Sequence, residues 1–220
     1  MNAAPRKLLL ANLPLLGILP AAKTGLAMLE DALEEYPLMQ VLEEGTACTI
    51  RPLQREDEAA FIRFLGAVPE IDRLFIKERL GSRGFRSHWC RDLDYDSALT
   101  LIAIAHDHII GQITLQQRQG GWKRHIGRVH SLTHPEYRDI GVSGLLIQHA
   151  IEIALHCGLT RLEAEFNGER AAAIRCFETA GFGEMLRMPE YLYDMAGTPH
   201  DWVLLGMQIR PPADLAGAGD

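Results

Sequence analysis

The sequence predicts a mixed α/β domain with a mostly antiparallel sheet, flanking helices and an N-terminal extension. Two observations support this fold class. Two apolar, β-branched runs at 99–106 and 109–116 are separated by Asp107-His108, as in a hairpin. After them, strand-like and helix-like runs follow one another from residue 126 to the end of the chain. The order of elements is therefore strand, helices, antiparallel strands, helix, strand, helix, strand.

The elements before the hairpin are shorter. Thr24 is a suitable N-cap for a helix over 25–36, which ends before Pro37. Strands are then predicted at 39–42 and 47–51, around a turn at 43–46. A helix follows at 56–65, and an irregular stretch between residues 68 and 96 contains a second helical pattern at 71–80.

The elements after the hairpin have clearer boundaries. A strand over 126–133 follows the Gly120-Gly121 turn and is stopped by Pro135. Apolar residues at three- and four-residue spacing then predict a helix that runs to about His156, before Gly158. The remaining predictions are a strand at 161–166, a helix at about 173–180, a closing strand at 200–207 and a frayed tail.

Length and composition indicate one well-buried core. The chain has 220 residues, of which 47% are apolar and 23% charged. We expect an N-terminal arm and helix at 1–38, one domain at 39–210 and a flexible tail at 211–220. No apolar run approaches the roughly 18 residues of a membrane-spanning helix, so no membrane partner is expected.

The net charge and the cysteine pattern limit the kinds of partner and compartment that we expect. The formal charge of −7 argues against nucleic acid and mildly favours cationic or amine-bearing partners. The four cysteines form no C-x-x-C pair, so neither a disulfide framework nor a metal site is indicated. Reduced thiols fit a cytoplasmic protein best.

The leucine-rich arm has two interpretations. Arg6 and Lys7 precede an apolar run at 8–19, which imitates a signal peptide but is interrupted by Pro14 and Gly17. The interpretation that we favour is an arm that covers an apolar surface of this subunit or of a partner, which makes a homodimer reasonable.

The turn between the strand at 126–133 and the next helix is suited to a phosphate. Gly141 and Gly144 let the backbone approach a ligand, and the free N–H groups of a helix N-terminus attract anions. Arg138 adds a formal positive charge. We therefore predict a pyrophosphate site at 138–144, although a glycine-containing turn is also common in ordinary loops.

Four segments resemble the GNAT superfamily of N-acetyltransferases, and within it the Pat-type protein acetyltransferases. The turn resembles the acyl-CoA motif Arg/Gln-x-x-Gly-x-Gly/Ala, with Ser143 at the last position. Residues 173–182, A-I-R-C-F-E-T-A-G-F, resemble the helix and terminator that follow in these enzymes. The strand and charged helix start at 49–59 and the closing strand at 200–207 also match. The resemblance covers about 39–209 and implies the fold, acetyl-CoA as cosubstrate and an amine acceptor.

The resemblance also implies a set of cofactor-binding residues. The pantetheine arm would pair with the strand that ends at Thr133, through Leu132 and Thr133, with a free N–H near Ser131 facing the acetyl oxygen. Asn167 would bond the pantetheine arm, although its spacing to the next helix is long. The full set is Ser131, Leu132, Thr133, Arg138, Asp139, Ile140, Gly141, Val142, Ser143, Gly144, Asn167 and Phe177.

The catalytic base is less certain from sequence. Many relatives carry a glutamate at a place that falls on Gly127 or Arg128 here, and neither of these is a base at neutral pH. His130 lies two residues further along the same face, and imidazole titrates in the useful range. Glu165 on the adjacent strand is the rival candidate. A structural histidine and a solvated glutamate are the plain alternatives for these two residues.

The position of the catalytic acid also departs from the family. Relatives commonly have a tyrosine where Phe177 stands, so Phe177 is expected to pack rather than to protonate the thiolate. Two functions remain open: an acetyl-CoA-dependent N-acetyltransferase acting on a protein lysine or a small amine, and a catalytically inactive acyl-CoA-binding regulatory protein. Residues 83–89 would line the acceptor cleft or form a surface crossover.

Overall fold

The computed structural model describes residues 31–73, 93–95, 97–118 and 120–209. The predicted arm up to residue 30, the predicted helix beyond residue 73, the acceptor-side residues 83–89 and the tail lie outside these ranges. Among the described residues, no helix combines the length and apolar character needed to cross a membrane.

One eight-stranded sheet organises the chain, in the order β1-β2-β3-β4-β5-β6-β8-β7. All neighbours are antiparallel except β5 and β6, which are parallel. The strands are β1 (Leu38–Val41), β2 (Ala47–Pro52), β3 (Ala98–Ala105), β4 (His108–Gln116), β5 (Ile126–Thr133), β6 (Arg161–Asn167), β7 (Gly183–Tyr193) and β8 (Pro199–Gln208).

The α-helices of the described part cover the two faces of the sheet. They are α1 (Glu58–Ala67), α2 (Val142–His156) and α3 (Ala171–Thr179). The main core lies between the sheet, α2 and α3, and a smaller cluster lies between the other face and α1. Along β5, Val129 faces the main core and Leu132 faces the α1 cluster, as strand alternation requires. Both faces of β5 are thus fixed by packing.

The parallel pair β5 and β6 separates part-way along its length. Only the first four residues of each strand pair, from Ile126 with Arg161 to Val129 with Ala164. Beyond that point β5 continues to Thr133 and β6 to Asn167 without pairing to each other. The two strands therefore open into a wedge, in which main-chain groups of β5 are released from the sheet on one side.

The sequence predictions hold for the fold class and for most elements. The strand at 126–133 is confirmed, and the other predicted strands agree within two residues. The β3–β4 turn lies at His106-Asp107, one residue earlier than predicted, and both residues adopt positive φ angles of 49° and 61°. Aspartate tolerates this left-handed conformation better than most residues.

Two helix predictions lie mostly outside the described residues, and their described parts are not α-helical. Of the helix predicted over 25–36, residues Asp31–Leu33 form a single 3₁₀ turn, and the chain leaves helical geometry before Tyr36. Tyr36 precedes Pro37, which disfavours helical angles, and its hydroxyl instead meets His149 Nδ1 at 3.0 Å. The segment predicted as a helix from residue 71 begins as a 3₁₀ turn, Glu70–Arg73.

Sequence analysis did not predict β7, an eleven-residue strand at one edge of the sheet. Nearly all of its residues are exposed, so they do not alternate between apolar and polar. Pro189 and the register shift between Met188 and Leu192 also interrupt the strand pattern. Proline is tolerated there because one side of an edge strand makes no ladder hydrogen bonds.

Candidate functional site

The turn that enters α2 has the backbone geometry of an anion-binding loop. After β5, residues Pro135–Tyr137 make one 3₁₀ turn, and Asp139 has a positive φ angle of 64°. Gly141 is the N-cap of α2 with φ of 91° and ψ of −4°, a left-handed conformation that favours glycine. The first N–H groups of α2 have no partner within the helix and carry the positive end of its dipole. The turn can therefore hold a phosphate group.

Two contacts anchor this turn to the sheet. A Cβ atom on Gly111 of β4 would lie 2.7 Å from Val142 Cγ1, so the glycine lets α2 pack directly on the strand. The hydroxyl groups of Thr133 and Ser143 lie 2.6 Å apart and join the end of β5 to the first turn of α2. Ser143, at the motif position usually held by glycine or alanine, thus contributes a structural hydrogen bond. Val142 is buried and Ile140 packs against the core, so both support the turn from below.

Arg138 carries the positive charge of the turn, next to the negative charge of Asp139, and a further carboxylate already contacts it. Its side chain is 42% exposed, and its Nη2 atom lies 2.6 Å from Asp72 Oδ2. Asp72 comes from the 3₁₀ turn after α1. Sequence analysis did not single out Asp72, because its separation from Arg138 by 66 residues leaves no local signal.

The wedge exposes main-chain groups of Ser131. Its carbonyl oxygen accepts a hydrogen bond from Arg170 Nη2 at 3.2 Å, whereas the His134 N–H is directed to Ile110 of β4. In an antiparallel ladder, the N–H and C=O of one residue point to the same side, and the side alternates along the strand. Ser131 and Thr133 therefore face the wedge, and Leu132 faces β4. This alternation favours Ser131 and Thr133 over Leu132 for main-chain contacts to a ligand.

Arg170 places a buried cation in the wedge. It is the N-cap residue of α3, and its side chain is only 9% exposed. Besides Ser131, the guanidinium contacts Asp72 Oδ1 at 3.3 Å from Nε and lies 5.5 Å from the centre of the Phe166 ring. Burial lowers the pKa of Arg170, Asp72 raises it and Arg138 lowers it again. The two arginines thus share one carboxylate in the described structure.

His130 lies on the open part of β5 and is neutral at physiological pH. Burial lowers its pKa to about 4, and the positive charges of Arg128 and Arg170 add to the effect. Its neighbour across the ladder is Thr114 of β4. Thr114 is buried and contacts Thr100 at 2.8 Å and Gln112 at 3.1 Å through its hydroxyl group. Sequence analysis missed this polar group, because its members lie within otherwise apolar strands.

Glu165 is engaged by an arginine. Its Oε1 atom lies 3.2 Å from Arg128 Nη2, and its side chain is 30% exposed. Gly127 is not open to a glutamate, since a Cβ there would lie 2.8 Å from side-chain atoms of Leu159 and Leu162. Arg128 lies two residues before His130 on the same face. The base predicted in this region is therefore His130 or Glu165, with Arg128 close to both.

Asn167 and Phe177 have different surroundings. Asn167 ends β6 and is buried; its side-chain oxygen accepts from the Glu169 N–H at 2.8 Å. Its amide nitrogen has no hydrogen-bond partner among the described residues, which leaves a buried donor at the end of the wedge. Phe177 is 1% exposed and packs edge-to-face on Phe166 and Phe182, each at 5.0 Å. Phe177 is thus a core residue, as its chemistry predicts.

Together these residues can hold an extended molecule with an anionic end. The α2 turn and Arg138 suit the anion, and the open edge of β5 offers hydrogen bonds along the wedge. Asn167 adds one buried donor. His130 and Glu165 are the first residues beyond the last paired position, at the closed end of the wedge, and either could take a proton there.

Comparisons with known proteins agree with this arrangement. The Acetyltransferase (GNAT) family model matches residues 68–182, which is just over half of the chain. None of the curated proteins matches it. Among solved structures, the GNAT domain of Streptomyces lividans PAT is 19% identical with a TM-score of 0.65, and the match covers 80% of this chain and 100% of that one.

Two further structures share the fold. YncA from Salmonella typhimurium, whose structure contains its cofactor acetyl-CoA, is 19% identical with a TM-score of 0.60, over 76% of this chain and 96% of that one. The ribosomal-protein-S18-alanine N-acetyltransferase from Escherichia coli is 17% identical with a TM-score of 0.59, over the same shares of each chain. These structures show the same fold, and the family match shows that the chain belongs to the GNAT acetyltransferase family, whose acyl donor is acetyl-CoA.

Proposed function

We propose that this protein transfers the acetyl group of acetyl-CoA to a primary amine, on a protein lysine or a small molecule, in the wedge between β5 and β6. The observation that carries this proposal is the separation of the two strands beyond Val129 and Ala164, directly before the Arg138 turn. The diphosphate of the cofactor would bind Arg138 and the first turn of α2. The pantetheine arm would run along the open edge of β5, at Ser131 and Thr133.

The acetyl oxygen would be held at the Ser131 N–H. The Ser131 carbonyl faces the wedge, so its N–H points the same way. A fixed N–H stabilises the oxyanion that forms when the amine attacks the thioester carbonyl. The buried amide nitrogen of Asn167 supplies a second hydrogen-bond donor, which would contact the pantetheine arm. These contacts position the donor, which is a large part of the catalytic effect in such transfers.

The amine must lose a proton, and His130 is the first candidate to accept it. An amine with a pKa near 10 is mostly charged at neutral pH, so a base or a water path is required. The pKa of about 4 keeps His130 unprotonated but makes it a weak base in the free enzyme. The negative charges of a bound cofactor would raise that pKa. Glu165, which would also attract the ammonium group, is the alternative base.

Titration calorimetry with acetyl-CoA tests the donor site. We expect binding by the wild type, and Arg138→Gln should weaken it at least tenfold through loss of a charge-assisted contact. Arg161→Gln is the matched control, because Arg161 is exposed at the start of β6, on the other side of the paired region. Equal effects of the two substitutions on the Kd, or no binding by the wild type, would contradict the proposed site.

Thiol release with a panel of amines and lysine peptides then tests turnover. His130→Ala and Glu165→Gln are measured over a range of pH. Removal of the base should lower kcat/KM about 100-fold and abolish the acidic limb of the pH profile. The substitution that leaves this limb in place identifies the residue that is not the base.

A further inference from the structure

Arg170 is a buried cation that the proposed chemistry does not yet use. Its guanidinium is held by three different elements: the Ser131 carbonyl on β5, the Phe166 ring on β6 and the Asp72 carboxylate after α1. A buried charge is costly unless it is paired. Here its nearest carboxylate is shared with Arg138, so these three side chains together carry one net positive charge.

The place of this cation coincides with the reacting end of the proposed donor. The acetyl oxygen is assigned to the Ser131 N–H, and Arg170 Nη2 lies 3.2 Å from the carbonyl oxygen of the same residue. Both groups point into the same wedge. Any group bonded to that edge of Ser131 therefore lies within a few ångströms of the guanidinium.

Acyl transfer develops negative charge at this place in two successive steps. The lone pair of the amine nitrogen forms a bond to the carbonyl carbon, and the electrons of the C=O double bond move to the oxygen. When the tetrahedral intermediate collapses, the C–S bond breaks and its electron pair leaves with the sulfur. The base first passes the proton of the ammonium group to water, so the amine attacks in its neutral form and the base is free again. When the C=O bond re-forms from the electrons on oxygen, the base takes one proton from the nitrogen. From the neutral amine, the products are therefore the amide, the thiolate of CoA and the protonated base.

We propose that Arg170 is a catalytic residue that stabilises the negative charge on the thioester oxygen and then on the departing sulfur. This inference rests on the proposed function. A fixed cation in a site with little water stabilises such charge far more than it would in solution. It also fits the absence of an acid at Phe177, because a thiolate stabilised by a cation needs no proton in order to leave.

The competing role for Arg170 is purely structural, as a bridge between β5, β6 and Asp72. A structural bridge would change folding and cofactor affinity, but it would not change the acidity of the CoA thiol. The pKa of the bound thiol therefore separates the two roles. Removing the Arg170 charge leaves Asp72 paired with Arg138, so the variant does not contain an isolated buried carboxylate.

The experiment compares wild type, Arg170→Gln, Arg170→Lys and Arg175→Gln. Arg175 is exposed on α3, so its substitution removes the same charge from the same helix outside the wedge. Calorimetry gives the Kd for acetyl-CoA, steady-state kinetics give kcat, and the ultraviolet absorbance of the thiolate gives the pKa of bound CoA. Thermal unfolding checks that each variant is folded. If Arg170→Gln is not folded, the same measurements on Arg170→Lys decide between the two roles.

We expect Arg170→Gln to lower kcat by about 100-fold or more, with Kd changed less than threefold. Bound CoA should titrate below the ordinary thiol value of about 8.5 in the wild type and at least one pH unit higher in the variant. Arg170→Lys should recover part of both effects, and Arg175→Gln should resemble the wild type. A kcat within tenfold of the wild type, a parallel loss of affinity and rate, or an unchanged thiol pKa would each overturn the proposal. Failure of the proposed function is distinct, since the wild type itself would then neither bind nor turn over acetyl-CoA.

Discussion

The carboxylate of Asp72 lies 2.6 Å from the guanidinium of Arg138, the charged residue of the proposed diphosphate turn. The side chain of Asp72 is 16% exposed, so this contact is only partly screened by water. A carboxylate and a diphosphate would compete for the same guanidinium. We therefore predict that Asp72→Asn tightens acetyl-CoA binding, by about three- to tenfold at low ionic strength.

Titration calorimetry at two salt concentrations measures this effect. Glu70→Gln is the matched control, because Glu70 is an exposed acid in the same 3₁₀ turn. It removes the same charge without contacting Arg138, so its effect should be small and abolished by salt. Weaker binding by Asp72→Asn would mean that Asp72 orients Arg138 for the phosphate instead of competing with it.

His130 makes the stability of the protein depend on pH. Burial and two arginines lower its pKa to about 4 in the folded state, against about 6.5 in the unfolded chain. The folded state therefore resists protonation. The contribution of neutral His130 to the free energy of unfolding is fully present above pH 6.5. It is lost as the pH falls through 4, and the total loss is roughly 3 kcal/mol. Stability should thus decrease on acidification over this interval.

Urea unfolding at pH values between 4 and 7 measures this dependence. His130→Gln should flatten the curve over that range, because glutamine has no proton to gain. His108→Gln is the control, since His108 is exposed at the start of β4. A slope that persists in His130→Gln would assign the dependence to other groups.

Two glycines of the α2 turn should respond to alanine in opposite directions. Gly141 has a φ angle of 91°, where an alanine is strained, so Gly141→Ala should lower the free energy of unfolding by about 1 to 3 kcal/mol. Gly144 lies within α2, and a Cβ there would meet nothing within 4 Å. Gly144→Ala should instead raise stability by roughly 0.5 to 1 kcal/mol, because alanine loses less backbone entropy.

Denaturant unfolding of the two variants without ligand tests this pair. Each variant adds one methyl group within four residues of the other, so a general effect of the region cancels in the comparison. Destabilisation by both substitutions would show that the space around Gly144 is needed by the folded chain itself.

Local patterns were sufficient to predict most of the fold. The β3–β4 hairpin and the strand before Pro135 have clear alternation and clear stop signals, and both were placed within a residue or two. β7 was missed because an edge strand with two exposed faces has no alternation to detect. Tyr36, the predicted end of a helix, is not helical, since it precedes Pro37 and its hydroxyl contacts His149, 113 residues away.

In the candidate site, too, the residues within one local segment were predicted, and those brought in from distant segments were not. The turn from Arg138 to Gly144 lies in one stretch of chain, and its glycines and arginine were visible in the sequence. Asp72 and Arg170 come to the wedge from distant segments, and only the fold brings them to Arg138 and Ser131. The long interval between Asn167 and Ala173 did contain a signal, because it includes Arg170, which is the N-cap of α3 and contacts Ser131 in the wedge.

Phe177 provides a test of whether this position serves packing or chemistry. It is fully buried between Phe166 and Phe182, and a phenyl ring has no proton to give. Phe177→Leu should lower the free energy of unfolding by about 1 to 2 kcal/mol, and Phe177→Ala by about 3 to 5 kcal/mol, as the cavity grows. Since leucine keeps the cluster filled, Phe177→Leu should leave kcat within threefold of the wild type. Denaturant unfolding and thiol-release kinetics on the same preparations check both values, and a tenfold loss of kcat at unchanged stability would instead assign the ring a direct part in acyl transfer.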